Sequence, residues 1–153
     1  ELCKILQNKP VTDLKNTFTN LELPMFTSME PEPPKSTVAT FSKPGLSEWK
    51  WNQWDRIDIT DPTLTIQGLI DWLSDKYNVD LSMLSTGVTI LFSDFMPRAK
   101  SKERLLMTLK QVVEAVSKKT VLPSQKYMIF ELIVNDADSG DEVEIPYLRV
   151  KLF

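Results

Sequence analysis

The chain has 153 residues, 42% hydrophobic and 25% charged, with net charge −3 and a pI near 5.1. That is an ordinary globular composition, long enough to bury one substantial core. The acidic balance argues against nucleic acid as a main partner, no apolar run is long enough for a membrane span and no signal peptide stands out, and the absence of histidine removes every Ser-His or Cys-His catalytic pair and every histidine metal site.

The first segment, Leu2-Cys3-Lys4-Ile5-Leu6, has an apolar helical pattern. Cys3 is the lone cysteine. It cannot form an internal disulfide, which fits a reducing compartment, and it reads as a small buried hydrophobe rather than a nucleophile. Phe18–Pro24 alternates like a strand. Residues 27–47 change character: Pro31, Pro33 and Pro34 amid polar residues resist helix and sheet, and predict a stiff linker. Trp49 and Trp51 face one way in an extended segment and Trp54 the other, with packing favoured over an aromatic ligand platform. Trp54–Ile59 then alternates apolar and charged residues, as a half-buried strand does.

Ile66, Leu69, Ile70, Leu73 and Tyr77 recur as one apolar stripe and predict the main helix. Thr65 is its N-cap, Leu64 and Leu69 are placed as a hydrophobic staple, and Gly68 should weaken the first turn by roughly 1 kcal/mol relative to Ala. Leu81–Leu84 and Val88–Phe92 read as strands around a Gly87 turn. Arg98, Lys100, Lys102 and Arg104 form a basic stretch read as a solvated turn after Pro97. A second helix starts at Thr108, which forms a capping-box pattern with Gln111 and is followed by the stripe Leu109, Val112, Val113, Val116.

Two apolar runs, Tyr127–Asp136 and Asp141–Phe153, are separated by Ala137-Asp138-Ser139-Gly140 and read as a β-hairpin. With Val134 opposite Asp141, Glu131 faces Glu144 and Ile133 faces Glu142. The three carboxylates Glu131, Glu142 and Glu144 then leave one side of the ribbon, directly opposed like charges that a fold gains nothing by placing. That pattern points to a basic partner, with a solvated acidic face as the alternative. The element order predicts an α+β fold, a mostly antiparallel mixed sheet packed on one main helix as in the β-grasp, with a second helix and a C-terminal hairpin. Gly45, Gly68, Gly87 and Gly140 are too dispersed for a phosphate loop. Asp136, Asp138, Asp141 and Glu142 lack calcium-loop spacing and read as an acidic turn. No catalytic, cofactor-binding or metal-ligating residue is predicted.

Several segments resemble the C-terminal region of the eukaryotic ubiquitin-activating enzyme. Leu14–Phe26 is similar to the family's YKNGFxNLALPFF stretch, Trp54-Asp55-Arg56 to WDRF, Met83–Val88 to MLSxGV, Phe95–Leu105 to FMPxAKxKERL, and Glu142–Tyr147 to DVEVPY. The matches run in order along nearly the whole chain apart from residues 27–47. The resemblance implies a ubiquitin-fold domain over 48–153, a tail of the adenylation domain over 1–26, and a hinge over 27–47. It implies that the domain recruits the ubiquitin-conjugating enzyme through that enzyme's basic first helix, with Glu131, Glu142 and Glu144 at the family's acidic positions. Glu142 stands where the family has Asp, and Gly68 where its helix has Glu. ATP, magnesium, the catalytic cysteine and ubiquitin belong to other domains of the parent, which acts in cytoplasm and nucleus. A start at Glu1 rather than Met is what a piece of a longer protein shows. The other reading of the residues is an independent β-grasp module that binds a basic peptide or helix. A modifier is disfavoured, because the chain ends Lys151-Leu152-Phe153 rather than Gly-Gly.

Overall fold

The computed structural model describes residues 1–46 and 48–153. The chain divides into two compact units, Glu1–Pro34 and Lys35–Phe153.

In the first unit, helix α1 (Leu2–Leu6) and a 3₁₀ turn (Val11–Asp13) precede the antiparallel strands β1 (Asn16–Asn20) and β2 (Met25–Met29). Their connection is an Asx turn, in which the Asn20 Oδ1 accepts the Glu22 and Leu23 N–H groups at 3.0 and 3.2 Å. No residue of this unit is buried. Cys3 is accordingly exposed, which corrects its reading as a buried hydrophobe. A five-residue helix attached to one two-stranded ribbon has no core to enter.

The second unit opens with the antiparallel pair β3 (Ser36–Thr40) and β4 (Glu48–Asn52). The stretch 27–47 is therefore not free of regular structure: the end of β2 and all of β3 lie within it, and the prolines occupy the irregular residues 30–35. Ala39 and Phe41 turn inward, and Trp49, Phe41 and Trp72 all pack on Tyr77 at ring separations of 5.6 to 5.7 Å. Trp49 and Trp51 are half-buried, as packing demands. Trp54 lies in the turn beyond β4, is 69% exposed, and does not begin the next strand.

The main sheet has the order β5-β10-β8-β6-β7: β5 (Ile57–Ile59), β6 (Val79–Thr86), β7 (Thr89–Ser93), β8 (Tyr127–Asp136) and β10 (Leu148–Lys151). The short β9 (Glu142–Val143) adds to β8. Among the described residues β5 and β10 run parallel and the other pairs of this sheet are antiparallel. Helix α2 (Ile66–Tyr77) lies on one face and buries Ile66, Leu69, Leu73 and Tyr77 against Val79, Leu84, Leu91, Phe130, Val134 and Leu148. Each such side chain contributes about 1.5–3 kcal/mol by leaving water. This mixed sheet on a main helix is the expected β-grasp arrangement.

Both predicted caps form. Thr65 Oγ1 accepts the Gly68 N–H at 3.0 Å. At α4 (Leu109–Ser117) the box is reciprocal: Thr108 Oγ1 accepts the Gln111 N–H at 3.3 Å, and Gln111 Oε1 accepts the Thr108 N–H at 2.9 Å. Arg98–Leu105, expected as a turn, is instead helix α3, entered from Pro97. Proline just before the first turn gives up an N–H that would be unpaired there anyway.

Candidate partner-binding face

Side chains alternate along β8. Phe130 and Val134 are fully buried under the helices, Tyr127, Ile129 and Glu131 are exposed, and Ile133 is half-buried. The outward row has defined neighbours. Glu131 lies beside Ser85, and Ser85 beside Ile90. Ile133 lies beside Met83, and Asn135 between Asp80 and Glu142. Among the described residues no helix covers this face, and an apolar strip of Ile90, Met83, Ile133 and Ile129 runs along it beside Glu131. Sequence reasoning missed that strip, because its residues come from three strands whose register is set only by folding.

All three predicted carboxylates are exposed, and none is ion-paired among the described residues. Glu131 and Glu142 share the outer face. Glu142 and Glu144 alternate with buried Val143 and Ile145, so both point away from the core, and both line a groove beside Thr37–Thr40 of β3. The expected register is wrong, however. Val134 pairs with Val143 and Asn135 with Glu142, not Val134 with Asp141. The ladder then breaks over residues 144–147 and resumes with Leu148 opposite Phe130. Four residues there oppose three on β8, an irregularity that contains Pro146, which has no N–H to offer. Glu131 therefore does not face Glu144, and no ladder pair among the described residues sets these like charges opposite one another. The acids share a surface without sharing a rung.

The turn that delivers Glu142 is built on Asp136. Asp136 is 3% exposed, and its carboxylate accepts the N–H of Ser42 at 2.7 Å and those of Asp138 and Ser139 at 3.0 Å each. Asp136 N–H donates to Asp141 O, and Gly140 N–H to Asp136 O, both at 2.8 Å. Gly140 takes φ +75°, open to glycine. The backbone N–H of Ser42, then that of Ser139, hold the Asp136 carboxyl far below the usual carboxylate range. The same carboxylate thus ties the β3–β4 arm to the turn. Asn78, in the left-handed cap of α2, bonds Asp138 through its amide at 3.0 Å. Trp51 Nε1 donates to Glu144 O at 3.0 Å and sets that backbone. At the far end of the face, Arg149 grips Asp58 at 2.5 and 2.9 Å and lies over Tyr127. Asp58 raises the Arg149 pKa.

Among the described residues the glycines stand in separate turns and one helix, no group of three or more acid, cysteine or histidine side chains converges, and Asp136 spends both oxygens on backbone donors.

A family model described as "Ubiquitin fold domain" matches residues 54–148. Ubiquitin-like modifier-activating enzyme 1 of Dictyostelium discoideum is 37% identical over 152 residues, covering 99% of this chain and 14% of that protein. Ubiquitin-activating enzyme E1 1 of Schizosaccharomyces pombe is 33% identical over 154 residues, covering 99% and 14%. Ubiquitin-like modifier-activating enzyme 1 of Homo sapiens is 33% identical over 155 residues, covering 97% and 14%. The chain spans about one seventh of the length of these relatives.

Proposed function

We propose, from the premise that the chain belongs to the ubiquitin-fold-domain family of ubiquitin-activating enzymes, that its acidic sheet face recruits a ubiquitin-conjugating enzyme. The carrying observation is that Glu131 and Glu142 are exposed on the face that carries an apolar strip, with Glu144 exposed next to Glu142, and that among the described residues none of the three is ion-paired. Such a surface suits a basic amphipathic helix. Its cations meet the carboxylates at the rim while its apolar side chains cover Ile90, Met83 and Ile133. Rim charges act mainly by raising the encounter rate, and the apolar centre slows dissociation.

In this reading the chain positions a partner, and chemistry occurs elsewhere. A longer ubiquitin-activating enzyme, working in cytoplasm and nucleus, would use ATP and magnesium to activate ubiquitin and hold it as a thioester. The acidic face would bring the cysteine of the conjugating enzyme to that thioester. Residues 1–26 would belong with the adenylation domain, and the proline-bearing stretch within 27–47 would serve as hinge.

The test is binding of a ubiquitin-conjugating enzyme to the wild-type chain and to a triple variant, Glu131→Lys, Glu142→Lys, Glu144→Lys, at low and moderate salt. Weakened, less salt-sensitive binding by a folded variant is expected. Equal affinity would return the three residues to a solvated face.

A further inference from the structure

We propose that the groove between α3 and α4 is a second docking site, for an acidic peptide segment that inserts one apolar side chain. The site is separate from the acidic face and opposite in charge. Helix α3 carries Arg98, Lys100, Lys102 and Arg104 against Glu103, a net +3 in a chain of net −3, so the remaining residues carry −6. Among the described residues none of these cations is in an ion pair. Nor does the helix bury any residue. A basic helix left unneutralised on an acidic domain is a polarised surface awaiting a complementary charge.

The geometry narrows the ligand. Lys100 and Arg104 are one turn apart on the same side of α3. With Glu103, Met107, Ala115 and Val116 they line a groove of about 170 Å³. Arg104 is fixed by donating to Leu91 O at 2.6 Å, so one cation of the rim is pre-positioned. Cofactor and drug-sized pockets run to roughly 300–1,000 Å³, so this groove has room for one anchoring side chain. Two cations outnumber the one acid, Glu103, beside an apolar wall, which fits a carboxylate-bearing peptide with a Leu-like anchor. A polyanion such as nucleic acid needs many cations, whereas the groove offers two. A membrane surface needs an apolar helix face, which α3 lacks.

The test titrates the isotopically labelled chain at moderate salt with a synthetic peptide of Asp and Glu residues around one Leu. Its charge-reversed Lys counterpart serves as control. The acidic peptide should move backbone amides in 100–107 and 115–116, away from Glu131, Glu142 and Glu144, and bind saturably. Lys100→Glu should weaken it at least tenfold. Lys102→Glu, on the other side of α3, should weaken it less than about threefold. Ala115 is exposed, so Ala115→Glu should leave far-UV dichroism unchanged while abolishing localised shifts. Equal losses from the two lysine variants would mean nonspecific attraction and overturn the site. So would undiminished binding of a peptide with Gly for Leu. A single-stranded oligonucleotide binding the same amides as tightly would overturn the assignment to a peptide.

Discussion

Gly68→Glu should stabilise the chain by about 1–2 kcal/mol, from gains and a cost that can be separated. The position is N3 of α2, and its N–H already bonds Thr65 Oγ1 at 3.0 Å. Glu relieves the helix of most of the ~1 kcal/mol that glycine costs. Its carboxylate also enters a first turn that holds no acid, worth about 0.3–1 kcal/mol against the helix dipole. It can further complete the reciprocal bond that Gln111 makes at Thr108, worth about 1 kcal/mol net. Against this, a Cβ at position 68 meets Leu64 Cδ1 at 3.1 Å and Thr65 Oγ1 at 3.3 Å. Leu64 must shift, and an off-rotamer side chain costs about 0.5–1.5 kcal/mol. Gly68→Ala isolates the terms, since it keeps the crowding and the propensity but cannot bond Thr65. It should change stability by under about 0.5 kcal/mol. Urea melts of the three proteins at equal m-value measure this. If Glu is no more stable than Ala, the capping argument fails. If Ala gains the full propensity term, the crowding argument fails.

Other outcomes follow from the same contacts. Phe130→Ala, at a fully buried position, should cost about 3–5 kcal/mol in urea melts, whereas Cys3→Ser, fully outside any core, should stay within about 0.5 kcal/mol. For the acidic face, each single Glu→Lys change should cost about 1 kcal/mol of binding to a conjugating enzyme, read by titration, with the loss shrinking as salt rises. The folded pKa of Asp136 is lowered, so its stabilisation is fully present above the unfolded value near 3.9 and is lost as pH falls through the folded one. The stability deficit of Asp136→Asn should therefore be constant from pH 5 to 8 and narrow below about pH 4; a deficit that varies between pH 5 and 8 contradicts this. Amide exchange should be fast at 30–35, where no regular structure lies, and slower in β3; protected amides at 30–35 would remove the hinge.

What was legible in the sequence is what local pattern encodes. The stripe from Ile66 to Tyr77 can only be buried by a helix, and Thr65 and the Thr108–Gln111 box cap their helices with atoms a few residues away. The turn at 137–140 and the exposure of Glu131, Glu142 and Glu144 were likewise readable, as was the family likeness in ordered motifs. The tertiary structure decided the rest. It placed Val143 rather than Asp141 opposite Val134, because Asp136 closes the turn on Asp141 while also holding Ser42, a residue 94 positions away. It made Arg98–Leu105 a helix despite the absence of an apolar stripe. It brought Ile90, Met83 and Ile133 onto one rung pattern with Glu131. Alternation tells which residues share a face of one strand. Which strands lie side by side, and in what register, depends on closing distant contacts whose energies no short window of sequence contains.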